Sequence, residues 1–169
     1  KFKRDALNDA DLVKIVDAGR LSSSGANRQP LKYVIISSPD MCEKVFPHTK
    51  WAGYIDWNPS EEESPSAYIA LIADSEIKPV KACEVDCGLA MSNMMLAAEE
   101  LKIGSCAIGS IDRNDLHKLL ELPDTYYVSY LLALGYPAQT AEYFDSSDVK
   151  YYHDENGNVH VPKRPMNEV

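Results

Sequence analysis

The chain has 169 residues, 45% of them hydrophobic, and sets 17 lysines and arginines against 26 aspartates and glutamates for a formal net charge of −9. That length and apolar share suit one domain with a real core, able to bury roughly 70% of its unfolded surface. The acidic balance argues against nucleic acid or an anionic membrane as a partner, no apolar run approaches the roughly 20 residues of a membrane span, and no leader-like segment opens the chain; a soluble cytoplasmic protein is expected.

An Asn8-x-x-Asp11 start followed by Leu12, Ile15, Val16 and Gly19 at helical spacing predicts a first helix. Behind it, Tyr33 to Ile36 reads as a buried strand. Between them, Arg20 to Pro30 packs three serines, a glycine, two amides and two guanidiniums into one junction. Hydroxyls and amides both donate and accept, and Gly25 lets backbone approach a flat ring or a phosphate. The stretch is built to hold a polar ligand, although Ser, Gly, Asn and Pro also dominate ordinary loops.

Asp40 to Phe46 makes a short helix that Pro47 ends. His48 to Pro65 then lacks periodicity but carries Trp51, Tyr54 and Trp57, and a loop of that length with aromatics suits a lid, or a surface flap packed on the core. Ala67 to Ala73 is a second buried strand. Pro79 to Lys102 reads as one long helix, with Pro79 in its first turn and Gly104 just past its end. Its middle is apolar or small nearly all round, so it is buried on most sides, in the core or against a second copy of the chain. Ser92 and Asn93 there must be hydrogen-bonded, as structural glue or as support for a site. Ser105 to Gly109 is a short strand, Asp112 with Asp115 starts another helix, and Tyr126 to Leu134 is a further buried strand. In the tail, Asn156-Gly157 between Tyr151-Tyr152-His153 and Val159-His160-Val161 suggests a hairpin, closed by the basic pair Lys163-Arg164.

The four cysteines and four histidines form no metal-ligand spacing, so the cysteines read as small buried hydrophobes and no metal is expected. No nucleophile elbow, Gly-x-Gly-x-x-Gly turn or Walker loop is present. Whatever chemistry occurs rides on a cofactor, and no side chain stands out as catalytic.

Five motifs in order, Ser22-Ser-Ser-Gly-Ala-Asn-Arg-Gln-Pro30, Asp86-x-Gly88-x-Ala90-x-x-Asn93, Gly104-Ser-Cys-Ala-Ile-Gly109, Leu134-Gly-Tyr-Pro137 and Pro162-Lys-Arg-Pro165, together resemble the nitroreductase family of FMN-dependent oxidoreductases. The resemblance implies an α+β sandwich, a central and mainly antiparallel sheet flanked by helices, in an intertwined homodimer with two FMN molecules at the subunit interface. It implies one FMN-binding domain over residues 1–169, with a lid-like loop at 48–65 and a C-terminal extension at 138–169. By the same resemblance, Ser22, Ser23, Ser24, Asn27 and Gln29 line the flavin. The strand end Ala107, Ile108 and Gly109 brings backbone to its ring, and Lys163 and Arg164 reach its phosphate, the basic cluster that an acidic chain needs. Trp51 and Tyr54 in the lid are expected to stack on the nicotinamide or on an aromatic acceptor.

The implied activity is hydride transfer from NADH or NADPH through flavin N5 to nitroaromatic, quinone or similar acceptors, by a ping-pong mechanism. Alternatives are flavin cleavage or reductive dehalogenation with the same FMN, and a dimeric binding protein that has lost FMN. Family members usually open on Arg-Arg-Ser-x-Arg, whereas this chain starts at Lys1-Phe2. Either upstream residues belong to it, the reading favoured for a chain that starts in mid-motif, or Lys1, Lys3 and Arg4 stand in weakly.

Overall fold

The apolar run at Ala67–Ala73 becomes the centre of the molecule. The computed structural model describes residues 1–169, and in it β2 (Ala67–Asp74) is buried at every position. β1 (Leu31–Ile36) and β4 (Tyr126–Gly135) flank it, and β3 (Gly104–Ile108) completes a sheet of order β1-β2-β4-β3. Every pairing in that sheet is antiparallel, as the family resemblance implied.

A strand with apolar side chains on both faces must be covered twice. α1 (Asp9–Arg20) and α3 (Glu84–Glu100) cover the face carrying Ile69, Leu71 and Leu132, with Leu12, Ile15 and Met94 packed against it. α2 (Pro39–Val45) and α4 (Arg113–Leu119) cover the face carrying Tyr68, Ala70 and Leu131, through Cys42, Val45 and Leu116. Local signals set the helix starts. The Asn8 side chain accepts from the Ala10 N–H, and the Asp112 side chain accepts from the Asp115 N–H. No helix is long and apolar enough to cross a membrane.

The structure corrects four details. β1 is an edge strand of which only Ile36 is buried, because its outer side has no neighbour within the chain. The helix expected from Pro79 begins with a tight 3₁₀ turn over Val80–Cys83, and the regular helix starts at Glu84. Its end is turned by Lys102 in the left-handed region, while Gly104 opens β3 with Pro137 lying where a Cβ would point. α3 buries one stripe through Cys87, Ala90, Met94 and Ala98, with Met91 and Met95 partly buried beside it, while Val85, Leu89 and Leu96 are exposed in the single chain. Asn93 acts as glue, donating from Nδ2 to the Ala18 carbonyl of α1 at 3.4 Å.

Beyond Pro137 a second sheet forms, with β5 (Ala141–Asp145) parallel to β7 (Val159–Lys163) and β6 (Tyr152–His153) antiparallel to it. The β6–β7 hairpin matches the Asn-Gly reading, with Gly157 at φ +80°. The N-terminal segment ties this extension to the main sheet. Phe2 pairs with Pro137, and its ring occupies the space that a Cβ on Gly135 would need, 2.9 Å away.

Burial pushes the thiols of Cys42 and Cys87 up to about 11 from an ordinary value of 9.0. Both stay protonated in the fold at pH values where the unfolded chain already ionises them, so their contribution is complete below pH 9 and is lost as pH rises toward 11. Denaturation midpoints measured between pH 7 and 11 are therefore expected to hold to about pH 9 and then fall, and replacing both cysteines by alanine should flatten that decline.

Candidate functional site

The serine loop leaves α1 at its C-terminal end and enters β1 at the sheet edge. Ser22 Oγ donates to the Gly19 carbonyl at 2.7 Å and closes the helix end. Ser24 Oγ accepts from the Gln29 N–H at 3.0 Å, and the Asn27 and Arg28 N–H groups close tight turns on Ser24 and Gly25. Ala26, Asn27 and Gln29 all have φ between 51° and 53°. Left-handed backbone costs a non-glycine residue about 1 kcal/mol or more, so three such residues in one loop persist only where surrounding contacts hold them. Ser23, Asn27 and Gln29 are exposed, and the loop borders a cavity of about 210 Å³ shared with Arg20, Tyr33 and Asp86. Burial pushes the Tyr33 hydroxyl up to about 12, so it remains a neutral donor at physiological pH.

Beneath the loop lies an ion pair that sequence reasoning missed. Asp86, only 3% exposed, takes the Lys78 ammonium at 2.6 Å on Oδ2 and the Gly25 N–H at 3.0 Å on Oδ1. Burial alone raises the Asp86 carboxyl, and the Lys78 and Gly25 bonds with the lysine charge overcome this and hold it below its ordinary value. The signal for it was a carboxylate eight residues after a lysine, just ahead of an apolar stretch, but its third partner sits 61 residues away.

At the other edge of the sheet, Ile108 is buried while Ala107 on the edge strand β3 and Gly109 just past its end are exposed. Arg113 fixes this corner by donating from Nη2 to the carbonyls of Gly109 at 3.1 Å and Ser129 at 3.0 Å. Ser129 is the extra residue of a bulge, since Leu71 faces Tyr130 and Ile72 faces Val128. Nothing in the sequence marked Arg113 for this role. The adjoining cavity of about 670 Å³ is lined by Val80, Glu84, Arg113, His117 and Tyr130 among others, and none of the serine-loop residues reaches it.

The remaining predicted residues lie elsewhere. Lys163 at the end of β7 and Arg164 just past it are exposed, with Lys163 Nζ 5.7 Å from the centre of the Tyr143 ring, and no hydrogen bond or ion pair joins them to the serine loop. Trp51 is half-buried, donating from Nε1 to Thr49 Oγ1 at 2.9 Å and meeting Phe2 edge-on. It helps line a cavity of about 490 Å³ with Trp57, Cys106, Tyr151 and Val161. Tyr54 is exposed and packs edge-on against Tyr151, whose hydroxyl accepts from the N–H groups of Gly53 and Tyr54. The loop at 48–65 therefore rests on the C-terminal extension. Donor atoms of His48, Asp112 and Asp115 lie within 4.8 Å of one another at the surface, where Asp112 caps α4 and Asp115 holds Lys118 at 3.1 Å.

The profile of the nitroreductase family matches residues 1–136, which takes in every element from α1 to β4. The chain belongs to the nitroreductase family. It is 28% identical over 148 residues to an Archaeoglobus fulgidus protein named as an NADH dehydrogenase/NAD(P)H nitroreductase, covering 84% of this chain and 81% of that one. It is 24% identical over 156 residues to an iodotyrosine deiodinase of Thermotoga neapolitana, covering 81% and 82%. Among solved structures, an FMN-dependent nitroreductase from Clostridium difficile R20291 superposes with a TM-score of 0.69 at 21% identity, covering 92% of this chain and 87% of that one, and establishes the shared fold. Residues 137–169 lie beyond the matched family region.

Replacing Arg113 by Met removes both bonds at the bulge and leaves two backbone carbonyls to water. A loss of about 1–2 kcal/mol in unfolding free energy is expected, with faster amide exchange confined to residues around Gly109 and Ser129.

Proposed function

We propose that this chain is an FMN-dependent oxidoreductase that takes hydride from NADH or NADPH and passes reducing equivalents to a nitroaromatic, quinone or similar acceptor in a ping-pong cycle. The observation that carries the reading is the serine loop of a nitroreductase-family chain. Its strained backbone leaves Ser23, Asn27 and Gln29 exposed, Ser23 and Gln29 beside a cavity, a hydroxyl and amide set suited to a neutral heterocycle and a polyol chain. The FMN-dependent relative from C. difficile supports the same cofactor.

FMN, when bound, supplies a ring that accepts and releases hydride at N5. The chain's own residues bind and orient. Ser22, Ser23, Ser24, Asn27 and Gln29 form the polar cradle, with Ser22 and Ser24 also shaping it through their bonds to Gly19 and Gln29. Ala107, Ile108 and Gly109 present edge-strand backbone, held in place by Arg113. Lys163 and Arg164 bring positive charge for the phosphate, where charge-assisted bonds are about twice as strong as neutral ones. Trp51 and Tyr54 form a wall for donor and acceptor. Catalysis in this scheme is positioning and electrostatics, with no side chain as general base.

Because no hydrogen bond or ion pair joins the serine loop, the β3 end and the basic pair to one another within one chain, we read the working protein as a homodimer whose sites draw residues from both copies. The exposed Val85, Leu89 and Leu96 of α3 provide an apolar stripe for the second copy, and residues 1–169 act as one FMN-binding domain with the lid and extension described above.

The direct test is the visible spectrum of the purified protein under anaerobic conditions. Flavin bands that bleach with NADH or NADPH and return on addition of a quinone or nitroaromatic are expected. A protein that stays colourless after FMN is added overturns the reading, and reoxidation by a halogenated phenol but not by a quinone moves it to dehalogenation.

A further inference from the structure

A buried lysine–aspartate pair is a costly thing to place beneath a surface loop. Taking both charges out of water is repaid only when geometry is tight and the remaining valences are satisfied. Lys78 and Asp86 meet that condition in an unusual way, because the second oxygen of Asp86 is spent on the backbone of the serine loop and not on its own helix. The Lys78 side chain is 16% exposed and that of Asp86 4%, so water screens the pair little.

The contact falls at the residue from which the loop turns left-handed. Gly25 is fixed by Asp86, and Ala26 and Asn27 follow it immediately at φ 53°. The fit around Gly25 is close. A Cβ there would stand 3.3 Å from Lys78 Nζ and 4.0 Å from Asp86 Oδ1, so the residue that allows the approach is also the one the pair grips. Asp86 borders the same cavity as Ser22, Ser23, Ser24 and Gln29. Apart from the turns within the loop and the Ser22 bond to Gly19, this is the hydrogen bond that links residues 22–29 to another element.

We propose that Lys78 and Asp86 form a latch that holds the serine loop in its left-handed, ligand-ready shape, which makes both of them positioning residues for the cofactor. The proposal rests on the reading of that loop as part of the FMN site. The latch prepays the ordering of the loop, so that binding does not have to supply it. It also neutralises Lys78, leaving the phosphate to other cations.

The test compares Asp86→Ala, Asp86→Asn and Gly25→Ala with the unaltered full chain, by FMN titration and by amide hydrogen exchange. Asp86→Ala is expected to weaken FMN binding about tenfold or more and to speed exchange at Gly25, with the amides of Ala90 and Met94 in α3 still protected. Asp86→Asn keeps an acceptor for the Gly25 N–H and is expected to show a smaller loss on both readouts. Gly25→Ala keeps the N–H and asks Lys78 Nζ, 3.3 Å from the new Cβ, to give by only a few tenths of an ångström, so it is expected to show a smaller loss than Asp86→Ala on both readouts. Unchanged exchange at Gly25 in a folded Asp86→Ala protein overturns the latch, as does unchanged FMN affinity when Gly25 is freed. Should Asp86→Ala fail to fold, the other two variants decide by the same pair of readouts. Should the unaltered protein take up no FMN, the flavin reading falls while Gly25 exchange still decides whether the pair grips the loop.

Discussion

Complete burial of β2 is the constraint on which the rest of this molecule depends. Eight consecutive buried positions demand helices on both faces of the sheet, and Leu71 on one side and Tyr68 on the other leave no place for a polar site in the middle. Polar chemistry is displaced to where helices hand over to strands. The serine loop occupies one such junction, between α1 and β1, and the Gly109–Arg113 corner occupies another, between β3 and α4. Both sit on elements that pack directly on the buried strand or on its neighbour, so a loose connection is anchored to the most rigid part of the fold.

The two junctions are stiffened by different means. At Gly109 a guanidinium satisfies carbonyls from two segments at once, the second at a β-bulge. At Gly25 a buried carboxylate reaches up from the first turn of α3 and carries its own counterion. Each device uses a charged group on backbone atoms, which fixes the path of the chain and leaves the side chains of Ser23, Asn27 and Gln29 uncommitted to the core. That division suits a site that must present donors and acceptors without reorganising.

Much of this was legible in the sequence. Helix starts followed from Asn8 and Asp112, buried strands from apolar runs, and the hairpin turn from Asn156-Gly157, because each depends on neighbours close in the chain. What escaped depends on pairs far apart. The edge position of β1 follows from sheet order, and the parallel pairing of β5 with β7 joins segments that carry no mutual mark. Gly25 and Asp86 are 61 residues apart, and Arg113 looks like any exposed helical arginine until Ser129 is brought beside it. The apolar character of α3 was readable, but which of its faces the chain itself would cover was not. Lys163 and Arg164 stood out only through the family resemblance, and within one chain they lie on a sheet of their own.

In the homodimer we propose, a complete site takes its serine loop from one copy and its basic tail from the other. The most direct measurement is flavin content after co-expression of two separately tagged, individually defective chains, one with Ser23, Ser24 and Asn27 replaced by alanine and the other with Lys163 and Arg164 replaced by alanine. Each variant alone is expected to lose FMN, whereas the purified mixed dimer is expected to regain about one FMN per dimer, with one intact site and one doubly defective site. A mixed dimer as empty as its parents would contradict it and would mean that each chain builds its site alone.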